Sequence, residues 1–141
     1  MAKTTRLEVI TPSKLFYKGE IELVIVRTLL GDEGFMANHT WACKLLTAGE
    51  LWIKEAGSKD FKVAAISGGF IDVKDSIVIF TDAAEWPEDI DVERAKLERQ
   101  KAEEWLKSPS DDDNEVELAK FAIMKSIVRM NVKEGGIRRK R

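Results

Sequence analysis

The sequence predicts an α+β protein in which a β-rich N-terminal part is followed by two helices. Short β-branched and aromatic segments recur about every ten residues up to residue 86, and the residues after Trp86 and Pro87 are mostly helix formers. Several short strands at that spacing are typical of a β-sandwich or a barrel. We therefore expect a β-sandwich domain over residues 1–86 and a helical domain over residues 87–141.

Seven segments carry the strand pattern, and turn-forming residues separate them. The segments are residues 7–10, 20–28, 42–47, 51–55, 61–66, 70–73 and 76–81. The predicted breaks are TPS at 11–13, GDEG at 31–34, AG at 48–49, AGS at 56–58 and KD at 74–75. Leu51 and Ile53 alternate with Glu50, Trp52 and Lys54, so we expect one face of that strand to be buried.

Two helices are predicted after residue 86, at about residues 91–107 and 115–133. Asp91 is a suitable N-cap for the first helix, and Pro109 is a suitable stop. Asn114, with Glu117 three positions later, forms a capping-box pattern that opens the second helix. A short polar turn joins the helices, and we expect them to form an antiparallel hairpin.

The second helix carries an unusually broad apolar face. Residues at steps of three and four form its stripe: Val116, Ala119, Ile123, Ile127 and Met130. Further apolar residues widen it: Leu118, Phe121, Ala122, Val128 and Val132. Such a helix needs more than one surface to pack on, and the candidates are the first helix, the sandwich and another protein.

Composition narrows the class of protein. The chain of 141 residues is 44% apolar and 34% charged, with a formal charge of -2 that gives no overall attraction to nucleic acid. Its apolar runs are far shorter than the roughly 20 residues of a membrane helix, and its start lacks a signal-peptide pattern. The single cysteine, Cys43, agrees with a reducing compartment, so we expect a cytoplasmic location.

Motifs of catalysis are missing from the sequence. There is no G-x-S-x-G elbow, P-loop or G-x-G-x-x-G turn. His39 could act as a base and Cys43 as a nucleophile, but a lone histidine near a lone cysteine is usually structural. The acidic run at residues 111–113 lacks the glycine and later glutamate of a calcium loop, and a helix-capping turn explains it better. We expect no catalytic residue and no metal site.

Several short segments, taken in order, resemble the epsilon chain family of bacterial F-type ATP synthases. They are LEVITP at 7–12, GE at 19–20, GDEGFMANH at 31–39, GELWI at 49–53, SGGFIDV at 67–73, TDAAE at 81–85 and IDVERA at 90–95. Each piece is weak by itself, but their order and spacing along nearly the whole chain are specific.

The resemblance implies a flattened, ten-stranded antiparallel β-sandwich followed by a two-helix antiparallel hairpin. It implies a non-catalytic rotor subunit of the central stalk, whose sandwich binds the gamma subunit and rests on the membrane c-ring. Ion flow through the ring would thereby be coupled to ATP synthesis. The protein would lie at the cytoplasmic face of the cell membrane and reach the membrane only through the complex.

Residues 31–39 are similar to the family's loop that contacts the ring, with Asp32, Glu33 and His39 as the contact residues. Two glycines permit tight turns, and the charged side chains suit basic or polar partners. An ordinary β-turn with surface charges is the other interpretation. Many relatives have proline where Ala37 stands, and Ala-Pro-Leu where this chain has TWA at 40–42.

Residues 90–95 match the pattern with which some bacterial members bind ATP. The resemblance implies this set of ATP-binding residues: Glu85, Ile90, Asp91, Arg94, Ala95, Lys125 and Arg129. Lys125 replaces the family's usual arginine, and lysine offers a point charge instead of a planar fork. No cofactor is required, and ATP is the implied regulatory ligand. In the structural alternative, Asp91 only caps a helix and Arg94 is a surface residue of its first turn.

The resemblance also implies that the hairpin restrains ATP hydrolysis when it extends towards the catalytic head. Contacts with the beta and alpha subunits would use Lys120, Lys125, Arg129 and Lys133, helped by the basic tail at residues 138–141. Two alternatives remain: a free-standing nucleotide sensor built on Asp91 and Arg94, and a nucleic-acid arm formed by the tail. No basic face with interleaved aromatics accompanies that tail, so we do not expect a nucleic-acid partner.

Overall fold

The computed structural model describes residues 3–108 and 111–138, and the chain divides into two compact units between Glu85 and Trp86. The predicted fold class is confirmed: a closed, antiparallel-dominated sheet unit is followed by a helical unit. The strands are β1 (Thr5–Ile10), β2 (Leu15–Thr28), β3 (Gly31–Met36), β4 (Ala42–Glu55), β5 (Phe61–Val73), β6 (Ile77–Phe80) and β7 (Ala84–Glu85). The helices are α1 (Val92–Lys107) and α2 (Asp113–Arg138), preceded by a 3₁₀ turn at Pro87–Asp89.

The sheet closes on itself through β1. This strand pairs antiparallel with β2 on one edge and parallel with β6 on the other. The remaining pairs, β2 with β4, β4 with β5 and β5 with β6, complete the circuit. Closure removes the open edges that a flat sheet would expose. Among the described strands, β3 lies outside the circuit and pairs with β2, while β7 pairs with β5.

Three strands are longer than predicted: β4 and β5 each replace a pair of predicted segments, and β2 extends the predicted segment 20–28 towards the N-terminus. Strands β2, β4 and β5 have 14, 14 and 13 residues, whereas the mean strand length in globular proteins is about five to six residues. The predicted break at residues 48–49 is therefore wrong, because β4 continues through it and stays paired with β5. Counting each long strand as two would give the ten strands that the resemblance implied.

Irregularities in the long strands decide which residues enter the core. In β2 the buried positions change from Tyr17 and Ile21 to Val24 and Val26, so the inward parity switches from odd to even. The pairing with β4 shifts register between Ile21 and Leu23 at the same place. A bulge of this kind lets one strand serve two differently oriented parts of the core.

The core is built from aliphatic side chains and one phenylalanine. The fully buried set includes Leu7, Val9, Ile21, Val24, Val26, Phe35, Leu51, Ile53, Ile71, Val73, Ile77 and Ile79. The predicted alternation around residue 52 is confirmed, since Leu51 and Ile53 are completely buried while Trp52 is half-buried. Trp52 donates a hydrogen bond to Glu50 and packs edge-on against Phe61.

The predicted turn at residues 31–34 is also wrong. These residues belong to the edge strand β3, and the turn is formed by the two residues before it, Leu29 and Leu30. Gly31 has a φ of 110°, which explains why a glycine follows the turn. The two turn leucines are 78% and 89% exposed, so the hairpin tip between β2 and β3 is apolar and faces solvent.

The two α-helices pack against each other as the predicted hairpin. Ala95 and Ala102 of α1, together with Val128 and Val132 of α2, are buried. Ser126 is buried as well, and its hydroxyl donates to the carbonyl of Ala122 within the same helix. Small residues at the contact let the two helix backbones approach closely.

The start of α2 differs from the prediction. The helix begins at Asp113, two residues early, and ends at Arg138, five residues late. Asn114 is not the N-cap, because Asp112 accepts a hydrogen bond from the Asn114 amide through Oδ1 at 2.9 Å. The Asp112 carbonyl also accepts from the amides of Glu115 and Val116. A side chain two residues earlier therefore does the capping, while Pro109 and most of the basic tail (residues 139–141) lie outside the described residues.

The predicted stripe of α2 is only half-buried. Its members, Val116, Ala119, Ile123, Ile127 and Met130, are all partly exposed, whereas the buried residues of α2 are Ser126, Val128 and Val132 among those described. Leu118, Phe121 and Met124 are exposed, at 67%, 39% and 48%. The hairpin thus leaves part of its apolar face uncovered within the helical unit.

Replacing Gly69 should destabilise the sheet unit strongly. Gly69 has a φ of 116°, and a Cβ there would collide with the carbonyl oxygen of Phe80 in the neighbouring strand. We expect Gly69→Ala to lower the free energy of unfolding by about 3 kcal/mol or more, measured by urea denaturation with circular dichroism.

Gly57→Ala is the matched control. Gly57 also has a positive φ, 77°, but nothing lies within 4 Å of an added Cβ. Its loss should be limited to the backbone strain, about 1 kcal/mol. Equal losses in the two variants would contradict the close approach of β5 and β6 at Gly69.

Candidate functional site

The predicted ATP-binding residues fall in both units. Glu85 is the last residue of β7, where it pairs with Ala65 of β5. The other six residues lie in the helical unit, four of them around the start of α1 and two on α2. Ile90 and Ala95 are buried, so their contribution is to shape the hairpin.

Asp91 is the N-cap of α1. Its Oδ1 accepts a hydrogen bond from the amide of Arg94 at 3.1 Å, and its carbonyl accepts from the amide of Ala95. The prediction that Asp91 caps this helix is confirmed. An N-cap carboxylate fixes the direction of the first turn and therefore the place where the Arg94 side chain leaves the helix.

One carboxylate brings two of the predicted cations together. Glu98 Oε1 accepts from Arg94 Nε at 3.2 Å, and Glu98 Oε2 accepts from an Nη atom of Arg129 at 3.4 Å. Arg94 and Glu98 are one turn apart on α1, whereas Arg129 belongs to α2. The structure therefore places a guanidinium from each helix on the same carboxylate.

Lys125 stands one helical turn before Arg129, on the same side of α2. Its Nζ lies 5.1 Å from the centre of the Phe121 ring, a cation–π contact. Three cations of the predicted site thus belong to one helical unit, and Arg94 and Arg129 share a direct partner. Sequence reasoning missed Glu98, although its spacing of four from Arg94 was the available signal.

The other predicted cations of α2, Lys120 and Lys133, have partners within the helical unit. Lys120 is 3.6 Å from Glu117, and Lys133 donates a hydrogen bond of 2.9 Å to the carbonyl of Pro87. The second contact ties the later part of α2 to the turn that begins the helical unit. It was not foreseen, because a lysine and a backbone carbonyl 46 positions apart leave no pattern in a sequence.

The predicted ring-contact residues do not all lie on one face of β3. Asp32 and Glu33 are neighbours on β3, and adjacent strand residues point to opposite faces. Asp32 accepts from Arg27 Nε at 3.0 Å. His39 follows the other end of β3, where its ring packs edge-on against Phe35 with centroids 4.9 Å apart.

Glu33 has the strongest electrostatic environment of the three. Lys44 donates to its Oε1 and Thr28 donates to its Oε2. These hydrogen bonds, then the charges of Lys44 and His39, hold the pKa of the Glu33 carboxyl below its ordinary value of 4.5. Lys44 was not among the predicted residues.

Neither a metal site nor a membrane helix is found within residues 3–108 and 111–138. His39 and Cys43 do not form a catalytic pair in this structure: the His39 ring contacts the carbonyl of Thr40 and Phe35, and Cys43 is an exposed residue of β4. Of the acidic run at residues 111–113, Asp112 caps α2 as described above.

The fold defines a class of protein: a closed β-sandwich unit carrying an antiparallel helical hairpin. Family models match both parts. Residues 4–87 match the β-sandwich domain of the ATP synthase delta/epsilon chain, and residues 88–134 match its long α-helix domain.

Curated relatives extend the match to the whole chain. The ATP synthase epsilon chain of Desulforamulus reducens is 41% identical over 135 residues, which cover 95% of this chain and 100% of that protein. The epsilon chain of Caldanaerobacter subterraneus subsp. tengcongensis is 38% identical, over 94% of this chain and 95% of its own. The chain belongs to the ATP synthase epsilon chain family.

Solved structures show the same fold at lower identity. A chain in the mitochondrial ATP synthase of Tetrahymena thermophila, in a structure of its central stalk and c-ring, superposes with a TM-score of 0.69 at 14% identity, covering 93% of this chain and 97% of that one. A chain in the Euglena gracilis mitochondrial ATP synthase gives 0.68 at 22% identity, covering 93% and 78%.

The lowered pKa of Glu33 predicts part of the acid sensitivity of the sheet unit. A carboxyl whose folded pKa is depressed contributes stability above its unfolded pKa, and that contribution is lost as the pH falls through the folded value. We expect Glu33→Gln to be less stable than the parent at pH 7, and the difference to shrink as the pH falls below about 4.5. Urea denaturation at several pH values measures this.

Lys44→Met provides the control for that experiment. If the Lys44 hydrogen bond is the main cause of the lowered pKa, Glu33→Gln should have a much smaller effect in the Lys44→Met background. An unchanged effect would contradict the assignment to Lys44.

Proposed function

We propose that this chain is a non-catalytic rotor subunit of the central stalk of an F-type ATP synthase. Its sandwich binds the gamma subunit and rests on the membrane c-ring, so that it couples ion flow to ATP synthesis. Its helical hairpin restrains ATP hydrolysis by contacting the beta and alpha subunits. The chain then lies at the cytoplasmic face of the cell membrane as a peripheral part of the complex.

The observation that carries this proposal is the amount of apolar surface that each unit leaves exposed. In the sheet unit, Leu30, Leu45 and Trp41 are 89%, 67% and 65% exposed. In the helical unit, Leu118 and Leu97 are 67% and 56% exposed. Exposed apolar patches mark sites for partner proteins, and large exposed apolar side chains on both units suit a subunit that contacts several neighbours.

One apolar row runs across the outside of the sheet. Leu45, Phe70 and Phe80 are direct neighbours on β4, β5 and β6, and Ile10 of β1 follows Phe80 in the same row. The rings of Phe70 and Phe80 stack at 4.9 Å. This row supports a rigid, extended contact of the kind that a rotor subunit needs to transmit torque.

The proposed ring contact uses Asp32, Glu33 and His39. The exposed leucines in the turn between β2 and β3, Leu29 and Leu30, belong to the same contact. Lys44 and Arg27 orient the two carboxylates on the edge strand. Acidic groups held in place beside an apolar tip suit polar loops that carry basic side chains.

Removing the hairpin tests the restraint. We expect an ATP synthase whose subunit ends at Trp86 to hydrolyse ATP severalfold faster than one with the full chain, because a state that blocks the head is no longer populated. Phosphate release by the purified complexes measures it. No increase on truncation would refute the inhibitory role.

Charge variants of the full chain refine that experiment. Replacing Lys120 and Lys125 by Gln should relieve part of the restraint, because these cations would face the acidic contact on the head. The matched control replaces Lys101 and Lys107 by Gln, which removes two cations from exposed positions of α1. An equal effect of the control would argue against a specific contact through α2.

A second candidate function is nucleotide sensing, which the convergence of Arg94 and Arg129 favours. Here ATP binds the folded hairpin through Arg94, Lys125 and Arg129, with Asp91 fixing the first turn and Ile90 and Ala95 shaping the start of α1. Guanidinium groups form charge-assisted hydrogen bonds with phosphates, and two helices bridged by one ligand are stabilised as a pair.

Titration of the isolated full chain with ATP tests the sensor. We expect Arg94→Ala and Arg129→Ala each to weaken binding by about tenfold or more, because each removes a charge-assisted hydrogen bond. Arg99→Ala is the control, since Arg99 pairs with Glu103 one turn further along α1. Unchanged affinity in both site variants would exclude this use of the hairpin.

A further inference from the structure

We propose that Glu98 is a built-in competitor for the phosphates of the nucleotide, and that it sets the affinity of the hairpin for ATP. This inference rests on the nucleotide site proposed above and adds its regulation. It follows from the position of one carboxylate between the two guanidinium groups that the ligand has to reach.

The geometry places the same donors in both interactions. Arg94 Nε and an Nη of Arg129 point at the two oxygens of Glu98, at 3.2 Å and 3.4 Å. A phosphate group accepts from guanidinium groups through oxygens arranged much as in a carboxylate. A phosphate that takes these two nitrogens has to displace the Glu98 side chain, and one that uses the remaining N–H groups of the two guanidinium groups is still repelled by the nearby carboxylate.

Exposure makes the displacement feasible. The side chains of Glu98 and Arg94 are 45% and 72% exposed, whereas that of Arg129 is only 16% exposed. The carboxylate can swing into solvent at little cost, because exposed ion pairs are weak. Arg129 is held by its burial within the helical unit, so its charge stays at the site when Glu98 moves away.

The net charge of the site also supports competition between Glu98 and the phosphates. Arg94, Lys125 and Arg129 carry three positive charges, and Glu98 is the carboxylate that contacts two of these groups. Without Glu98 the two guanidinium groups would repel each other and would attract a polyanion more strongly. The carboxylate thus bridges the two guanidinium groups when no nucleotide is bound and opposes the nucleotide when it arrives.

Glu98→Gln is the variant that tests this role. Glutamine keeps the length and the polarity of the side chain but removes its charge. We expect ATP to bind the full-length Glu98→Gln chain about two- to fivefold more tightly than the parent chain, the factor that an exposed ion pair represents. Isothermal titration with ATP measures both chains under identical salt conditions.

Glu103→Gln is the matched control. Arg99 and Glu103 form the same pair one turn further along α1, at 2.6 Å, with side chains 44% and 47% exposed. This variant changes the net charge equally without touching Arg94 or Arg129, so its affinity should stay close to that of the parent. A gain equal to that of Glu98→Gln would reduce the effect to overall charge and overturn the proposal.

The outcomes separate this inference from the nucleotide site itself. If the parent chain binds ATP and Glu98→Gln binds equally or more weakly, the site stands and the competitor role is overturned. If the parent shows no binding but Glu98→Gln does, both are supported. If neither chain binds ATP at millimolar concentration, both are overturned.

Discussion

Strand β1 is the element on which the sheet unit depends, because it is bonded along both edges. Its antiparallel pairing with β2 and its parallel pairing with β6 join the first strands of the chain to one of the last. A parallel pair cannot be made by a hairpin, so the chain between β1 and β6 has to travel around the whole sheet first. Closure in turn requires the long strands to bend, and the bulge in β2 is a product of that requirement.

Closure also determines which surfaces are left for partners. The circuit hides the edges of β1, β4 and β6, whereas β3 remains as an edge strand with charged residues on both of its faces. Charges on an edge strand discourage pairing with another sheet. Contacts made there should therefore use side chains such as Asp32 and Glu33, and not an added strand. On the outer face, the apolar row from Leu45 to Ile10 offers an uncharged surface that suits an apolar contact.

Much of this architecture is visible in the sequence, and the failures have physical causes. The change of period at residue 86 and the Asp91 cap are local signals, and they predicted the fold class and the start of α1. Glycine at residue 49 looked like a turn, but it lies within β4, where the Arg27 side chain of the neighbouring strand leaves no room for a Cβ. Asp112 and Asn114 are both good caps, and only the position of the whole helix decides between them. Glu98 and Lys133 gained their roles from contacts across the hairpin, which no local pattern encodes.

A hairpin that is to change partners has to be held by weak interactions. Among the described residues of the hairpin, the buried side chains are small or aliphatic, such as Ala95, Ala102, Val128 and Val132, while Leu97, Leu118 and Met124 are exposed. The ion pair from Glu98 to Arg129 adds little, because exposed pairs contribute on the order of 1 kcal/mol or less. A ligand that bridges both helices adds its binding free energy to that small total through mass action. If the proposed nucleotide site at Arg94 and Arg129 is occupied, weak packing is what would let the nucleotide decide which state of the hairpin is populated.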